Sequence, residues 1–187
     1  VPICLGLLIA ADPIVRAVFG DQWLEVIPVL RVLAIYAWVY SLGYHAGGFY
    51  KAIGRPDILL RLSILTLVLI IPALLIGARF GIIGVALGHL VAVLIRRIVS
   101  LALATRLIDV SLMDILGQLR SSLLAALVMA PATLAAAYLT MSLNPFLRLA
   151  LIVPAGALSY LGVLWWIERE NMLQLLRVLK ISKASAG

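Results

Sequence analysis

Residues 121–147 read SSLLAALVMAPATLAAAYLTMSLNPFL, and after Arg148 residues 149–167 read LALIVPAGALSYLGVLWWI. Neither stretch holds a charged side chain. A helix needs about 20 mostly apolar residues to cross a hydrocarbon core of about 30 Å, because in lipid every backbone polar group must be satisfied within the segment. Both stretches meet that length, and Asn144-Pro145 marks the turn between them. Leu62–Ala78 and Phe80–Ile95 are likewise uncharged and are divided by Arg79 and the Gly77/Gly81 pair. A further span covers about Pro28–Ala52, with Arg31 and His45 inside it. Val1–Ala11 is apolar but half the length of a span and follows no start methionine, so it reads as the stump of a cut helix. The chain is therefore expected to be a fragment, with one cut helix and five complete spans.

The composition agrees. Of 187 residues 65% are hydrophobic and 12% charged, where soluble domains have roughly 45–50% and about 25%. The fold class that follows is all-α, a polytopic integral membrane helix bundle. A formal charge of +7 comes from basic residues scattered between apolar runs, which argues against a nucleic-acid partner. Cys4 is the one cysteine, and Cys, His and carboxylates show no metal-ligand spacing, so neither a disulfide framework nor a metal or other cofactor is expected.

Basic residues also orient the chain. Lys51, Arg55, Arg61, Arg96, Arg97, Arg106, Arg120, Arg169, Arg177, Lys180 and Lys183 fall on one side, and Arg16, Arg31, Arg79 and Arg148 on the other, together the 15 of the composition. The richer side is expected to be cytoplasmic, with the basic tail 168–187 inside and the loop Asp12–Glu25 outside. Trp165 and Trp166 at the inner end, with Trp23 outside, suit interfacial aromatic belts.

Local signals place the turns. Asp12-Pro13 reads as an N-cap followed by proline, opening a short surface helix that ends at Phe19-Gly20. Gly54-Arg55-Pro56 reads as an inner elbow with glycine at the left-handed C′ position. Ser111 and Asp114 resemble a capping box, and Leu112, Ile115, Leu116 and Leu119 recur at helical spacing, so residues 106–118 are expected to form a cytoplasmic interfacial helix. Gly43/Gly47, Gly77/Gly81 and Gly84/Gly88 have the four-residue spacing of close helix contacts in lipid. Pro72, Pro131 and Pro154 fall inside spans, as kinks or as hinges.

Polar side chains within spans face protein or water by default. Arg31, Trp38 and His45 are spaced by seven, which at 100° per residue keeps them within about 40° of one line. His89 and Arg96 are again seven apart, and Ser100 shares their face. Arg31, His45, His89, Arg96 and Arg97 are thus the candidate substrate-binding residues of a hydrated, cationic cavity, with phosphate the anion that suits arginine's planar fork. In the alternative reading Arg96 and Arg97 snorkel to headgroups and the histidines bond to neighbouring helices. No catalytic residues are expected, and the chain is read as a non-enzyme. The last two spans, uncharged, look accessory.

Two motifs carry a family resemblance. Ile14-Val15-Arg16-Ala17-Val18-Phe19-Gly20-Asp21-Gln22-Trp23 is followed by Ile27-Pro28-Val29-Leu30-Arg31-Val32-Leu33-Ala34, and Ala52-Ile53-Gly54-Arg55-Pro56-Asp57 closes the same span. Over Val1–Thr105 this resembles the C-terminal half of polysaccharide and O-antigen flippases, in the superfamily that also holds the multidrug and toxin extruders. The resemblance implies a partial C-terminal lobe over residues 1–105 and two accessory spans over 119–167. It also implies a bacterial inner-membrane location, a missing N-terminal lobe as partner, and an undecaprenyl-diphosphate-linked repeat unit moved between leaflets by alternating access for polysaccharide, O-antigen or exopolysaccharide biosynthesis. A cation-coupled small-molecule exporter of the same superfamily remains an alternative, although it would favour acidic residues within spans. So does an integral-membrane polysaccharide polymerase or glycosyltransferase, which would need a carboxylate base or a larger outer loop than Asp12–Ile27. A purely structural membrane subunit is a third.

Overall fold

A computed structural model describes residues 1–41, 46–108 and 112–169, and every regular element in them is helical. In chain order these are α1 (Pro2–Val18), a 3-10 turn (Asp21–Trp23), α2 (Val26–Ser41), α3 (Ala46–Ala52), α4 (Pro56–Ala78), α5 (Gly81–Ile108), α6 (Leu112–Leu139) and α7 (Pro145–Ile167). Among the described residues four segments are long and apolar enough to cross a membrane: Pro56–Ala78, Gly81–Thr105, Arg120–Leu139 and Pro145–Ile167. Large apolar side chains such as Leu60, Leu75, Leu127, Leu158 and Trp166 stand exposed on them. Water would penalise that surface, whereas hydrocarbon solvates it. The chain is a multi-pass, all-α membrane protein.

Within the expected span over Pro28–Ala52 lie α2, an apolar helix shorter than a span, and α3, on either side of residues 42–45, which lie outside the described residues together with His45 and Gly43. Ser111 also lies outside them. From Leu112 the backbone runs without a break into the span of α6, so the segment read as an interfacial helix continues directly into that helix.

The helices pack as a chain of neighbours. α4 lies against α5, α5 against α2, α2 against α1, and α1 against both α6 and α7, which pair with each other. α1 is thus the link between the two halves of the bundle. The α4–α5 hairpin is drawn tight by glycine. A Cβ on Gly77 would run into the carbonyl of Gly84, and one on Gly88 into the carbonyl of Ala73. Small residues let backbones approach this closely, which is how helices associate where lipid offers no hydrophobic drive. Gly81 takes no part in that contact. It turns the chain between the two helices at φ 73° with open space around it.

The inner elbow forms as its residues require. Gly54 sits at φ 70°, its N–H donates to the carbonyl of Lys51 at 3.1 Å, and the N–H of Arg55 donates to that of Tyr50 at 2.9 Å. These two bonds are a Schellman closure of α3, and Pro56 then opens α4. At the start of α7, the Asn144 side chain accepts from the N–H of Phe146 at 3.1 Å and Pro145 occupies the first turn.

One local expectation is corrected. Asp12-Pro13 does not open a separate surface helix, because α1 runs unbroken from Pro2 to Val18 with Pro13 buried inside it. The missing N–H of Pro13 removes one helical bond, but the Asp12 carboxylate is engaged elsewhere, by two arginines. The expected end of that segment is met: the N–H groups of Phe19 and Gly20 both donate to the carbonyl of Val15, and Gly20 turns out at φ 84°.

Candidate functional site

Tyr36 and Tyr40, one turn apart on α2, share a face, and the neighbouring face of α5 carries His89 and Arg97 two turns apart. The two rows meet. The rings of Tyr36 and His89 are 4.8 Å apart between centroids, those of Tyr36 and Tyr40 5.8 Å, and the Arg97 guanidinium lies 4.7 Å from the centre of the Tyr40 ring. Because Tyr36 meets His89 and Tyr40 meets Arg97, α2 and α5 run in the same direction.

Arg97 also donates from Nη2 to the carbonyl oxygen of Tyr40 at 2.8 Å. Together with the ring contact, that bond gives Arg97 a structural task in holding α5 against α2. Arg96, half-buried beside it, has no ion-pair partner among the described carboxylates. One turn further on, Ser100 is buried, and its carbonyl accepts from the hydroxyl of the fully buried Tyr50 at 2.7 Å. That bond ties α3 to α5.

Arg31 is elsewhere. It stands nine residues before Tyr40 on α2, about 14 Å along the axis, and lines a cavity of about 1110 Å³ at the elbow end of the bundle with Asp12, Arg16, Tyr138 and Arg148. There Asp12 receives Arg16 Nε at 2.9 Å and Arg148 Nη1 at 2.7 Å, and Arg16 Nη1 reaches Asp21 at 2.7 Å. Partial burial pushes the Asp12 carboxyl up, but the hydrogen bonds and charges of Arg16 and Arg148 outweigh it and hold the group below the usual carboxylate range. Arg148 Nε is buried without a hydrogen-bond partner.

Of the five sequence-derived candidates, His89 and Arg97 come together along one α2–α5 seam with Arg96 next to them, Arg31 lies apart in the elbow cavity, and His45 lies outside the described residues. The seam's tyrosines and the Asp12–Arg148 pair were not among the candidates. Tyr36 and Tyr40 carried a signal in their i, i+4 spacing. Asp12 and Arg148 carried only a shared assignment to the same side of the membrane.

No known family profile and no solved structure matches the chain. Relatives do exist. Over 100 residues it is 37% identical to the lipopolysaccharide biosynthesis protein WzxC of Escherichia coli (strain K12), which aligns 53% of this chain with 20% of that one. Over 184 residues it is 27% identical to the teichuronic acid biosynthesis protein TuaB of Bacillus subtilis (strain 168), aligning 97% of this chain with 38% of that one. An uncharacterized membrane protein in the cps region of Klebsiella pneumoniae is 29% identical over 100 residues, 53% of this chain and 21% of its own length. The chain thus spans less than two fifths of these relatives. The resemblance drawn from the elbow motifs is borne out, and the chain is similar to membrane proteins of polysaccharide biosynthesis.

Proposed function

We propose that this chain is part of a flippase that carries undecaprenyl-diphosphate-linked oligosaccharide repeat units from the cytoplasmic to the outer leaflet of a bacterial inner membrane. The likeness to WzxC carries the reading, since that relative is named for lipopolysaccharide biosynthesis. In it, residues 1–105 form part of the C-terminal lobe, α6 and α7 are accessory, the α1–α2 elbow faces outward and the C-terminus is cytoplasmic. Transport breaks no bond. The work of the protein is to offer the diphosphate a cationic surface within the bilayer while the prenyl chain stays in lipid, and to change which side that surface faces.

The α2–α5 seam is the surface we assign to that task. It offers His89 and Arg97 along one face of α5, with Arg96 beside them. Arg96 is the residue that holds diphosphate, because its guanidinium is not committed to a described carboxylate. Arg97 holds α2 against α5, and His89, whose ring meets that of Tyr36, supplies a hydrogen-bond donor or acceptor to sugar hydroxyls.

The test is made at the native gene. Cells lacking it are expected to accumulate lipid-linked repeat units facing the cytoplasm and to lose surface polysaccharide. Cells carrying Arg96→Ala are expected to show the same loss with normal amounts of protein in the membrane, and Arg96→Lys a partial recovery. Normal surface polysaccharide in the deletion strain would end the flippase reading, and normal polysaccharide in Arg96→Ala alone would end the assignment of Arg96.

A further inference from the structure

Two cavities between α1, α2 and α6 lie end to end. The first, about 430 Å³, is lined by Val1 and by Cys4, Leu5 and Leu8 of α1, and on α2 by Ala34, Ile35 and Trp38. The elbow cavity takes up where it stops, with Ile9, Asp12 and Arg16 of α1 and Ile27, Pro28 and Arg31 of α2. On α6 the same order holds, Leu123 to Ala130 in the first and Leu134 to Met141 in the second. One groove therefore runs along three helices, apolar in its depth and cationic at its mouth.

The charges at the mouth do not balance. Asp12 is shared by Arg16 and Arg148, and Asp21 takes a second contact from Arg16. Arg31 has no carboxylate partner among the described residues, and of the charged residues that line the elbow cavity three are arginines and one, Asp12, is a carboxylate. The mouth is therefore cationic, the complement of a phosphodiester. From Trp38 to Arg31 is about 10 Å along the helix, so an acyl chain whose phosphodiester sits at Arg31 reaches Trp38 within the roughly 15 Å of hydrocarbon that one leaflet provides.

From this geometry we infer that the α1–α2–α6 groove is a binding site for a single anionic diacyl phospholipid, its phosphodiester at Arg31 and Arg148 and one acyl chain against Trp38. This site is separate from the α2–α5 seam and does not depend on the transport reading. Its bound lipid would fill the two cavities between α1, α2 and α6.

The test uses the full-length protein in phosphatidylcholine nanodiscs containing a small fraction of acyl-brominated phosphatidylglycerol, because bromine quenches an indole that it touches. Quenching by brominated phosphatidylglycerol is expected to exceed that by brominated phosphatidylcholine at equal fraction, with a binding preference of about five-fold, the worth of one arginine contact at a membrane surface. The excess is expected to vanish in Trp38→Phe, in Arg31→Gln, whose exposed side chain the fold does not need, and in Ala130→Phe, which fills the apolar half. Inorganic phosphate is expected to leave it unchanged. Equal quenching by both lipids, an excess that survives Arg31→Gln, reversal by inorganic phosphate, or tighter retention of a polyprenyl phosphate than of phosphatidylglycerol would each overturn the assignment.

Discussion

Asp12 and Arg148, 136 positions apart in the chain, meet at 2.7 Å and join α1 to α7. Their side chains are 26% and 15% exposed, so the pair is desolvated enough to matter and is still not fully dry. Losing the carboxylate leaves Arg148 nearly buried beside one weak contact, 3.5 Å from Nη2 to the Ala137 carbonyl. Asp12→Asn is expected to lower stability by about 1–3 kcal/mol, the range for a hydrogen bond to a charged group. A double-mutant cycle with Arg148→Ala, followed by thermal unfolding in detergent, checks it. A coupling energy near zero would mean that the two residues touch without holding the helices.

The same carboxylate sets a pH dependence. Its folded-state value is lowered, so its stabilisation is present above the ordinary value of about 3.9 and is lost as pH falls through the lower folded value. The difference in Tm between wild type and Asp12→Asn is expected to stay constant from about pH 5 to 8 and to shrink below about pH 4. A difference that widens on acidification would contradict the sign.

Gly84 and Gly88 predict a contrast within one hairpin. A methyl at either meets backbone that cannot step aside, so Gly84→Ala and Gly88→Ala are expected to cost about 1–3 kcal/mol by forcing α4 and α5 apart. Gly162, on an open face of α7, is the control: Gly162→Ala is expected to be neutral or to stabilise by up to about 1 kcal/mol. Unfolding in detergent ranks the three, and equal effects would show that the carbonyl contacts do not limit the approach.

Arg96 and Arg97 are adjacent and are expected to behave differently. Arg97→Ala removes the bond to the Tyr40 carbonyl and the contact with its ring, a loss of about 1–2 kcal/mol in stability. Arg96→Ala is expected to leave stability within about 0.5 kcal/mol of wild type while abolishing export. Reversed outcomes would exchange the two roles.

Tyr50→Phe tests the tie between α3 and α5. The hydroxyl is buried and donates to Ser100 at 2.7 Å, and interhelical hydrogen bonds in membranes are worth about 0.6–1.7 kcal/mol. A fall in Tm corresponding to that range is expected, and no change would show that the Ser100 carbonyl finds another donor.

Much of this was written in the order of the residues. The uncharged runs flanking Arg148, the glycine of the Gly54-Arg55-Pro56 elbow and the turn at Asn144-Pro145 act through chain neighbours, and lipid leaves a helix as the only spanning form open to such runs. The elbow motifs likewise named the kind of relative. Asp12 shows where that reasoning stops: beside a proline it carries the marks of a helix start, yet α1 runs through it because Arg16 and Arg148 claim its carboxylate. Arg31 shows the same limit, since its face on α2 was legible but its neighbours were not. Periodicity fixes which side of a helix a residue lies on, whereas which helix comes to face that side depends on close packing such as that at Gly84 and Gly88. Only the tertiary structure decided that Arg31 belongs with Arg148 and Arg97 with Tyr40, because contacts between residues remote in the chain depend on how all the helices fill space together.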